Sequence, residues 1–273
     1  MHPLDIQNDL VADLLTRFLR DESGRFGFQR AVLGLSGGID SAVSCALAAR
    51  AFGADQVLAV RMPYVTSNPN SESDALEVAE ALGVRTIRVD ITPMVDGYLE
   101  QAQVQDRTRR GNVMARARMI VLYDHSAADK ALVIGTSNKT EMLLGYSTQF
   151  GDAASALNPL GDLYKHQVFS LARYLELPPC VINKAPSADL FEGQSDEEDL
   201  GFTYAEADAA LFDLVDRRLS ADELAQAGHS ASLIDSLQRR VRQNQYKRLQ
   251  PTIAKLGQRT VGLDFRYLRA WGT

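Results

Sequence analysis

The sequence predicts an α/β fold: a doubly wound, mostly parallel sheet with a helical C-terminal extension. Three observations carry that prediction. Apolar runs at 30–35 (RAVLGL), 57–62 (VLAVRM), 84–89 (VRTIRV) and 131–136 (ALVIGT) each have the length of a buried strand. Helical patterns separate them, and alternating strands and helices imply a parallel sheet covered on both faces. The chain has 273 residues, 45% apolar and 23% charged, which suits an ordinary globular protein with a substantial core.

Taken in order, the first 20 residues (MHPLDIQNDLVADLLTRFLR) are too acidic for a signal peptide and read as an amphipathic helix. After the first strand, SAVSCALAARAFG is a helix pattern ended by Gly53. After the second, SESDALEVAEALG has an acidic first turn and ends at Gly83. Right-handed crossovers are the default for such connections. Residues 92–129 hold two helical segments with QDRTRRGN between them, and the fourth strand ends at Gly135-Thr136. Helices are expected over 165–177, 204–218 and 221–247, with a polar, glycine-containing stretch at 187–201. There is no internal repeat and no Pro/Gly/Ser linker, so residues 1–273 are read as one domain.

Composition excludes several classes. The net charge of −6 argues against broad nucleic-acid binding. No run of 18 apolar residues occurs, so no membrane span is expected. Cys45 and Cys180 are the only cysteines and sit among apolar residues, which makes a disulfide framework unlikely to form and favours a cytoplasmic chain. The histidines at 2, 125, 166 and 229 show no metal-ligand spacing. The Asn138-Lys139-Thr140 sequon is read as silent.

The chemistry concentrates in VLGLSGGIDSAV, residues 32–43. Ligands of an open parallel sheet bind beyond the carboxyl ends of its strands. Here Ser36-Gly37-Gly38-Ile39-Asp40-Ser41 lies at such an end and opens a helix. Gly37 and Gly38 can take positive φ and let the backbone approach a ligand. Helix N-terminal amides attract anions, and Ser36 and Ser41 add hydroxyl donors. The stretch is neither GxxxxGK[ST] nor GxGxxG. Asp40 is the odd member, because a carboxylate repels phosphate unless a cation intervenes; a hard divalent ion such as Mg²⁺ resolves the conflict. The plainer reading of Asp40 and Ser41 is helix capping.

This loop resembles that of the pyrophosphate-loop ATPases, the N-type ATP pyrophosphatases, whose fold is adenine nucleotide alpha hydrolase-like. Further motifs occur in order: GNVMARARM (111–119), GTSNKTE (135–141), YSTQFGD (146–152), LNPLGDLYK (157–165) and APSADLFEGQSDEEDLG (185–201). Together with SGGIDS they resemble the ammonia-dependent NAD synthetases over roughly residues 5–250. The resemblance implies ATP-dependent amidation of deamido-NAD to NAD with ammonia, through a nicotinate acyl-adenylate, with AMP and pyrophosphate released.

It also implies roles. Asp40 and Glu141 match the family's magnesium ligands. Gly34, Ser36, Gly37, Gly38, Asp40, Ser41, Thr136, Lys165 and Ser187 match its ATP site, and Asn112, Arg116, Asp152, Tyr246 and Lys247 its deamido-NAD site. Asp40, Lys165 and Asp152 are the implied catalytic group. Asn112 and Arg116, four apart, share a helix face. The plainer alternatives, less favoured, are that Glu141 serves only as a first-turn helix acid and Lys165 only as a solvated lysine at a helix start. Gln149 stands where many relatives have lysine, Ala156 where many have an acid, and Tyr246 where many have histidine. Residues 187–201 correspond to a stretch that closes over ATP in the family, with Gly193 and Gly201 as hinges and Asp189 and Glu192 among its acids; an ordinary solvated loop is the alternative. Phe150 or Tyr146 could stack on a substrate ring or simply pack.

The resemblance further implies a homodimer without nucleic-acid or membrane partners. Only about 30 residues precede the first strand, so no nitrilase-like glutaminase domain is expected; free ammonia is the implied donor, with a separate glutaminase subunit still open. Two other classes remain beside this one: another pyrophosphate-loop amidase or ligase, and a non-catalytic nucleotide-binding protein.

Overall fold

A computed structural model describes residues 3–187, 191 and 195–264 of the chain. The first half is built from α1 (Asn8–Arg25), β1 (Ala31–Gly34), α2 (Ile39–Phe52), β2 (Val57–Arg61), α3 (Pro69–Leu82), β3 (Arg85–Arg88), α4 (Thr92–Gln101), α5 (Arg107–Asp129) and β4 (Leu132–Val133). Then come α6 (Lys139–Leu144), α7 (Lys165–Tyr174), α8 (Pro179–Ile182), α9 (Asp196–Leu200), α10 (Tyr204–Leu211), α11 (Ala221–Gln226) and α12 (Ala231–Gln243).

The four strands pair in parallel in the order β3-β2-β1-β4. Side chains alternate across the sheet, so each strand feeds two cores. Leu33 and Ala59 point into a layer with α1, α2 and α7, whereas Val32 and Val60 point into a layer with α4 and α5. All four are fully buried. Burying each of the larger ones contributes about 1.5–3 kcal/mol, so neither layer is dispensable. The doubly wound, parallel α/β prediction is thus met. A third apolar cluster joins Leu4, Leu144 and Tyr164 to Leu200, Tyr204, Leu211 and Leu237, and it seats the C-terminal helices against α6 and α7.

Element boundaries differ from the sequence reading in five places. The fourth strand is only Leu132–Val133; Ile134 still donates to Val32 O but also forms an isolated bridge to Leu157. Most of QDRTRRGN is helix, because Asp106 caps α5 by accepting from Arg109 N at 2.7 Å. The 165–177 segment ends at Tyr174, and Glu176 turns the chain at φ 54°. Residues 221–247 form two helices, broken at Gly228 (φ 99°) and restarted by Ser230, which accepts from Leu233 N. The 204–218 helix is tighter at first and then widens into a π turn over Phe212–Asp216. No described helix is long and apolar enough to cross a membrane.

The strand order fixes where a ligand can enter. The chain moves outward from β1 to β2 to β3, then returns to the other side of β1 as β4. Connections leaving β1 and β4 therefore diverge and open a crevice at the carboxyl ends of these strands. α2 starts on one side of that crevice and α6 on the other.

Candidate active site

The loop after β1 is shaped by its glycines and serines. Gly37 adopts φ +76°, and a Cβ there would lie 2.1 Å from the Ser71 carbonyl oxygen. Only glycine fits that approach to α3. Gly38, by contrast, is extended (φ −100°, ψ 159°) and acts as the N-cap position of α2, so the expectation of positive φ holds for Gly37 alone. The serines lace the loop internally: Ser36 Oγ lies 3.1 Å from Ser41 Oγ and accepts from Gly38 N, while Ser41 Oγ donates to Gly38 O. The first-turn amides of α2 remain without intrahelical acceptors, as at every helix start.

α6 opens across the crevice with a capping box. Asn138 accepts from Glu141 N at 3.0 Å, and Glu141 Oε2 accepts from Asn138 N at 3.3 Å. The other Asn138 group donates to Asp40 Oδ1 at 2.9 Å, tying the two helix starts together. Lys165, the first residue of α7, completes the corner. Its Nζ lies 2.5 Å from Asp40 Oδ2 and 3.2 Å from Glu141 Oε1, and the side chain is 2% exposed. The Tyr204 ring lies 4.9 Å from the same Nζ.

The electrostatics follow from this packing. Burial disfavours the Lys165 ammonium, but Asp40 and Glu141 outweigh it and hold its pKa above the ordinary value. Burial also pushes Glu141 up to about 8, with the Lys165 charge opposing and the Asp40 charge reinforcing the shift. Lys165 is therefore not a solvated lysine. Glu141 is both the capping acid of α6 and a member of the charged corner.

A cavity of about 1580 Å³ spans the crevice. It exceeds the ~300–1,000 Å³ of a single small-ligand cleft, which leaves room for two nucleotide-sized molecules. Gly34, Ser36, Gly38, Asp40 and Ser41 line it with Thr136, Glu141, Lys165 and Ser187; Asn112, Arg116, Asp152, Tyr246 and Lys247 line it too. Gly37 faces α3 instead.

The far wall is held by local bonds. Asn112 Oδ1 accepts from Thr148 Oγ1 at 2.8 Å, and Arg116 donates to Gln149 O at 3.2 Å, so both side chains of the α5 face brace the 146–152 turn. Asp152 accepts from Thr148 N at 2.8 Å. Its carboxyl is reached from the cavity, yet surrounding protein pushes its pKa above the ordinary value. Lys247 Nζ donates to Gly145 O and Ser147 O, both at 2.7 Å, and burial lowers its pKa. Arg248 donates to Met142 O and Leu143 O and so closes the end of α6. Of the basic stretch 239–248, Lys247 and Arg248 thus turn inward onto backbone carbonyls of residues 142–147.

Tyr146 spends its hydroxyl on Asp196 and Asp199, and Phe150 is half exposed at φ 60°. Asp189, Glu192 and Gly193 lie outside the described residues, and Gly201 is the left-handed cap of α9. Asn138 is fully buried, which closes the sequon to modification. His166 is half exposed near Asp5, and His229 pairs with Asp213 at 2.9 Å.

Sequence reasoning missed Asn138, Tyr204 and Lys184 as members of this region. Asn138 had a signal, since Asn-x-x-Glu before an apolar stretch is a capping box. Lys184, whose Nζ donates to Asp74, Ser71 and Gly37 O, had none beyond its charge.

A glycine-lined strand end, two carboxylates and a buried lysine at the switch point of a parallel sheet define a nucleotide-binding α/β protein of the pyrophosphate-loop type. Residues 11–251 match the NAD synthase family model. The chain is 54% identical over 98% of its length to an NH(3)-dependent NAD(+) synthetase of Chlorobium phaeobacteroides, of which it covers 97%. Among solved structures, the NH3-dependent NAD synthetase of Campylobacter jejuni matches with a TM-score of 0.80 and 35% identity, over 92% of this chain and all of that one. An NMN synthetase from Francisella tularensis matches with a TM-score of 0.83 and 33% identity over the same shares. The chain belongs to the NAD synthase family.

Proposed function

We propose that the corner formed by Asp40, Glu141 and Lys165 is the reaction centre of an ammonia-dependent NAD synthetase, an amide-forming ligase. The reaction amidates deamido-NAD to NAD. A nicotinate carboxylate oxygen bonds to the α-phosphorus of ATP as the bond to pyrophosphate breaks. The nitrogen of ammonia then bonds to the acyl carbon, AMP leaves, and the nitrogen gives up a proton. The observation that carries the reading is the meeting of two acids and one lysine beside the glycine loop, at the point where the sheet topology opens.

The donor set fits Mg²⁺. Asp40 and Glu141 already converge on a cation, the Lys165 ammonium, and both offer hard oxygen ligands. Among the described residues no group of three or more metal-ligating side chains gathers. Mg²⁺ is commonly held by one or two carboxylates with phosphate and water completing its shell. When bound, the ion supplies neutralisation of the phosphate charge.

The chain's own residues do the rest. The first-turn amides of α2 face the polyphosphate, and Ser36 and Ser41 hold the loop that presents them. Lys165, kept cationic, opposes the charge that grows on the leaving pyrophosphate. Thr136 and Ser187 border the ATP side of the cavity. Asn112, Arg116, Asp152, Tyr246 and Lys247 border the side assigned to deamido-NAD, where Arg116 suits a carboxylate or phosphate. Holding both substrates in one cavity replaces a collision with a fixed approach.

Pyrophosphate release on mixing the protein with ATP, Mg²⁺, ammonium and deamido-NAD tests the function. Release coupled to NAD formation supports it, whereas ATP binding without turnover on this acceptor contradicts it. A mononucleotide acceptor is the second reading, favoured by the NMN synthetase neighbour. Parallel assays with deamido-NAD and nicotinate mononucleotide separate the two. We assign the assembly as a homodimer working in the cytoplasm, which sedimentation and cell fractionation test.

A further inference from the structure

Asp208 lies on α10, part of the C-terminal helical extension, and is 1% exposed. It touches none of the charged groups at the reaction centre through any bond described above. Its two carboxylate oxygens are nevertheless both occupied at the edge of that centre. Oδ1 accepts from Thr140 Oγ1 at 2.5 Å, and Oδ2 accepts from His166 N at 2.7 Å. Thr140 Oγ1 in turn accepts from Lys165 N at 3.0 Å. Thr140 immediately precedes Glu141, and His166 immediately follows Lys165. The three bonds close a ring around the starts of α6 and α7, the two helices that deliver Glu141 and Lys165 to Asp40.

We propose that Asp208 is a positioning residue for the amidation reaction: its carboxylate clamps α6 to α7 at the spacing that brings Glu141 and Lys165 together on Asp40. The inference rests on the functional reading above for its kinetic readout and on the hydrogen-bond ring for its substance.

Three features of the ring argue for this role. Two donors converge, so two acceptor oxygens are needed. Thr140 has one hydroxyl hydrogen, and it goes to Asp208 because its lone pair already receives Lys165 N–H. Asparagine would offer one acceptor where two are used. Second, the His166 amide is an orphan of the first turn of α7, where a negative charge is favoured by the helix dipole. Third, burial holds the Asp208 carboxyl above its ordinary pKa against the bonds from Thr140 and His166, so keeping it ionised costs stability. An apolar residue on α10 would serve packing alone better.

α10 meets the centre at a second point. Tyr204, four residues before Asp208 and on the same helix face, places its ring against the Lys165 ammonium and donates its hydroxyl to Asp196. One face of one helix thus backs both the head and the backbone of Lys165. This gives α10 a part in the reaction without a substrate contact of its own.

The test compares wild type with D208N, T140V, T140S, the D208N/T140V double variant and L211A. Leu211 is buried on the same helix and lies outside the ring. D208N and T140V are each expected to lower kcat by about 10²-fold, with KM for ATP changed by less than about threefold. T140S keeps the hydroxyl and is expected to retain near-normal kcat. The double variant is expected to fall no further than the worse single variant, because both break one ring. L211A is expected to lower Tm while keeping kcat. D208N with kcat within about threefold of wild type, or single losses that multiply in the double variant, overturns the proposal. If D208N does not fold, T140V and T140S read the same contact from its other side. A failure of the functional reading is a separate event, seen as wild-type protein that does not turn over deamido-NAD. Amide exchange at Lys165 and His166 then decides: faster exchange in D208N than in L211A supports the clamp, and equal exchange overturns it.

Discussion

Asn138 caps the helix that carries Glu141 and at the same time donates to Asp40 across the sheet crevice, at 2.9 Å. One side chain therefore sets both the local geometry of α6 and the distance between the two acids. Its amide is uncharged and carries its acceptor oxygen and its donor nitrogen on separate atoms, whereas an ionised aspartate could only accept.

Asn138→Ala is expected to cost about 1–2 kcal/mol of stability, from a lost cap and a lost buried bond. Activity is expected to fall further than stability explains, because Asp40 loses its restraint. Urea unfolding alongside kcat checks this; activity that merely tracks the folded fraction would argue against the bridging role.

Lys165→Met removes the cation that two buried acids share. Destabilisation of about 3–5 kcal/mol is expected, the usual cost of stranding buried charge. Added Mg²⁺ is expected to raise the Tm of this variant more than that of wild type, since the acids are then free of their lysine. Equal Mg²⁺ effects on the two proteins would remove Asp40 and Glu141 from cation binding.

The two loop glycines should respond differently. Gly37→Ala forces a Cβ against the Ser71 carbonyl at φ +76°, a left-handed position that alone costs about 1–2 kcal/mol. Gly38→Ala meets only Ser36 Oγ at 3.3 Å from an extended backbone. ATP affinity, read by titration calorimetry, is expected to drop sharply for the first and mildly for the second. The reverse order would contradict the account of the loop.

Much of this was legible beforehand, for reasons tied to particular residues. The strands were readable because parallel strands buried on both faces are uniform apolar runs, as in Ala31–Gly34 and Val57–Arg61. Asp40, Glu141 and Lys165 were readable because each stands in a motif at the end of a strand or the start of a helix. Less legible was anything decided by distant partners. The start of α5 hides in a polar stretch whose helix depends on an Asp106 cap. The break at Gly228 separates two segments of compatible helical pattern. Tyr204 and Asp208 acquire their roles only when α10 folds back on α6 and α7, and no local spacing records that contact.

The π turn at the end of α10 carries a pH dependence of its own. Burial works against the charges of Asp213 and Asp216, but bonds from His229 and Arg217 to the first, and from Lys139 and Tyr164 to the second, hold both carboxyls below the ordinary 3.8. A depressed folded-state pKa stabilises the fold fully above the unfolded value and loses that contribution as pH falls through the folded value. The C-terminal helices are therefore expected to loosen below about pH 4, and Lys139→Gln to shift that loosening to higher pH. Amide exchange of α10–α12 measured between neutral and acid pH checks it; an unchanged midpoint in the variant would count against the Lys139–Asp216 pairing.

The most direct test of the central claim is an anomalous-scattering map of crystals grown with ATP, deamido-NAD and Mn²⁺ in place of Mg²⁺. The account predicts a metal peak bound by Asp40 and Glu141, with phosphate oxygens completing its shell above the Gly37-Gly38 loop. A nucleotide seated elsewhere in the cavity, or a metal bound without either acid, would contradict it.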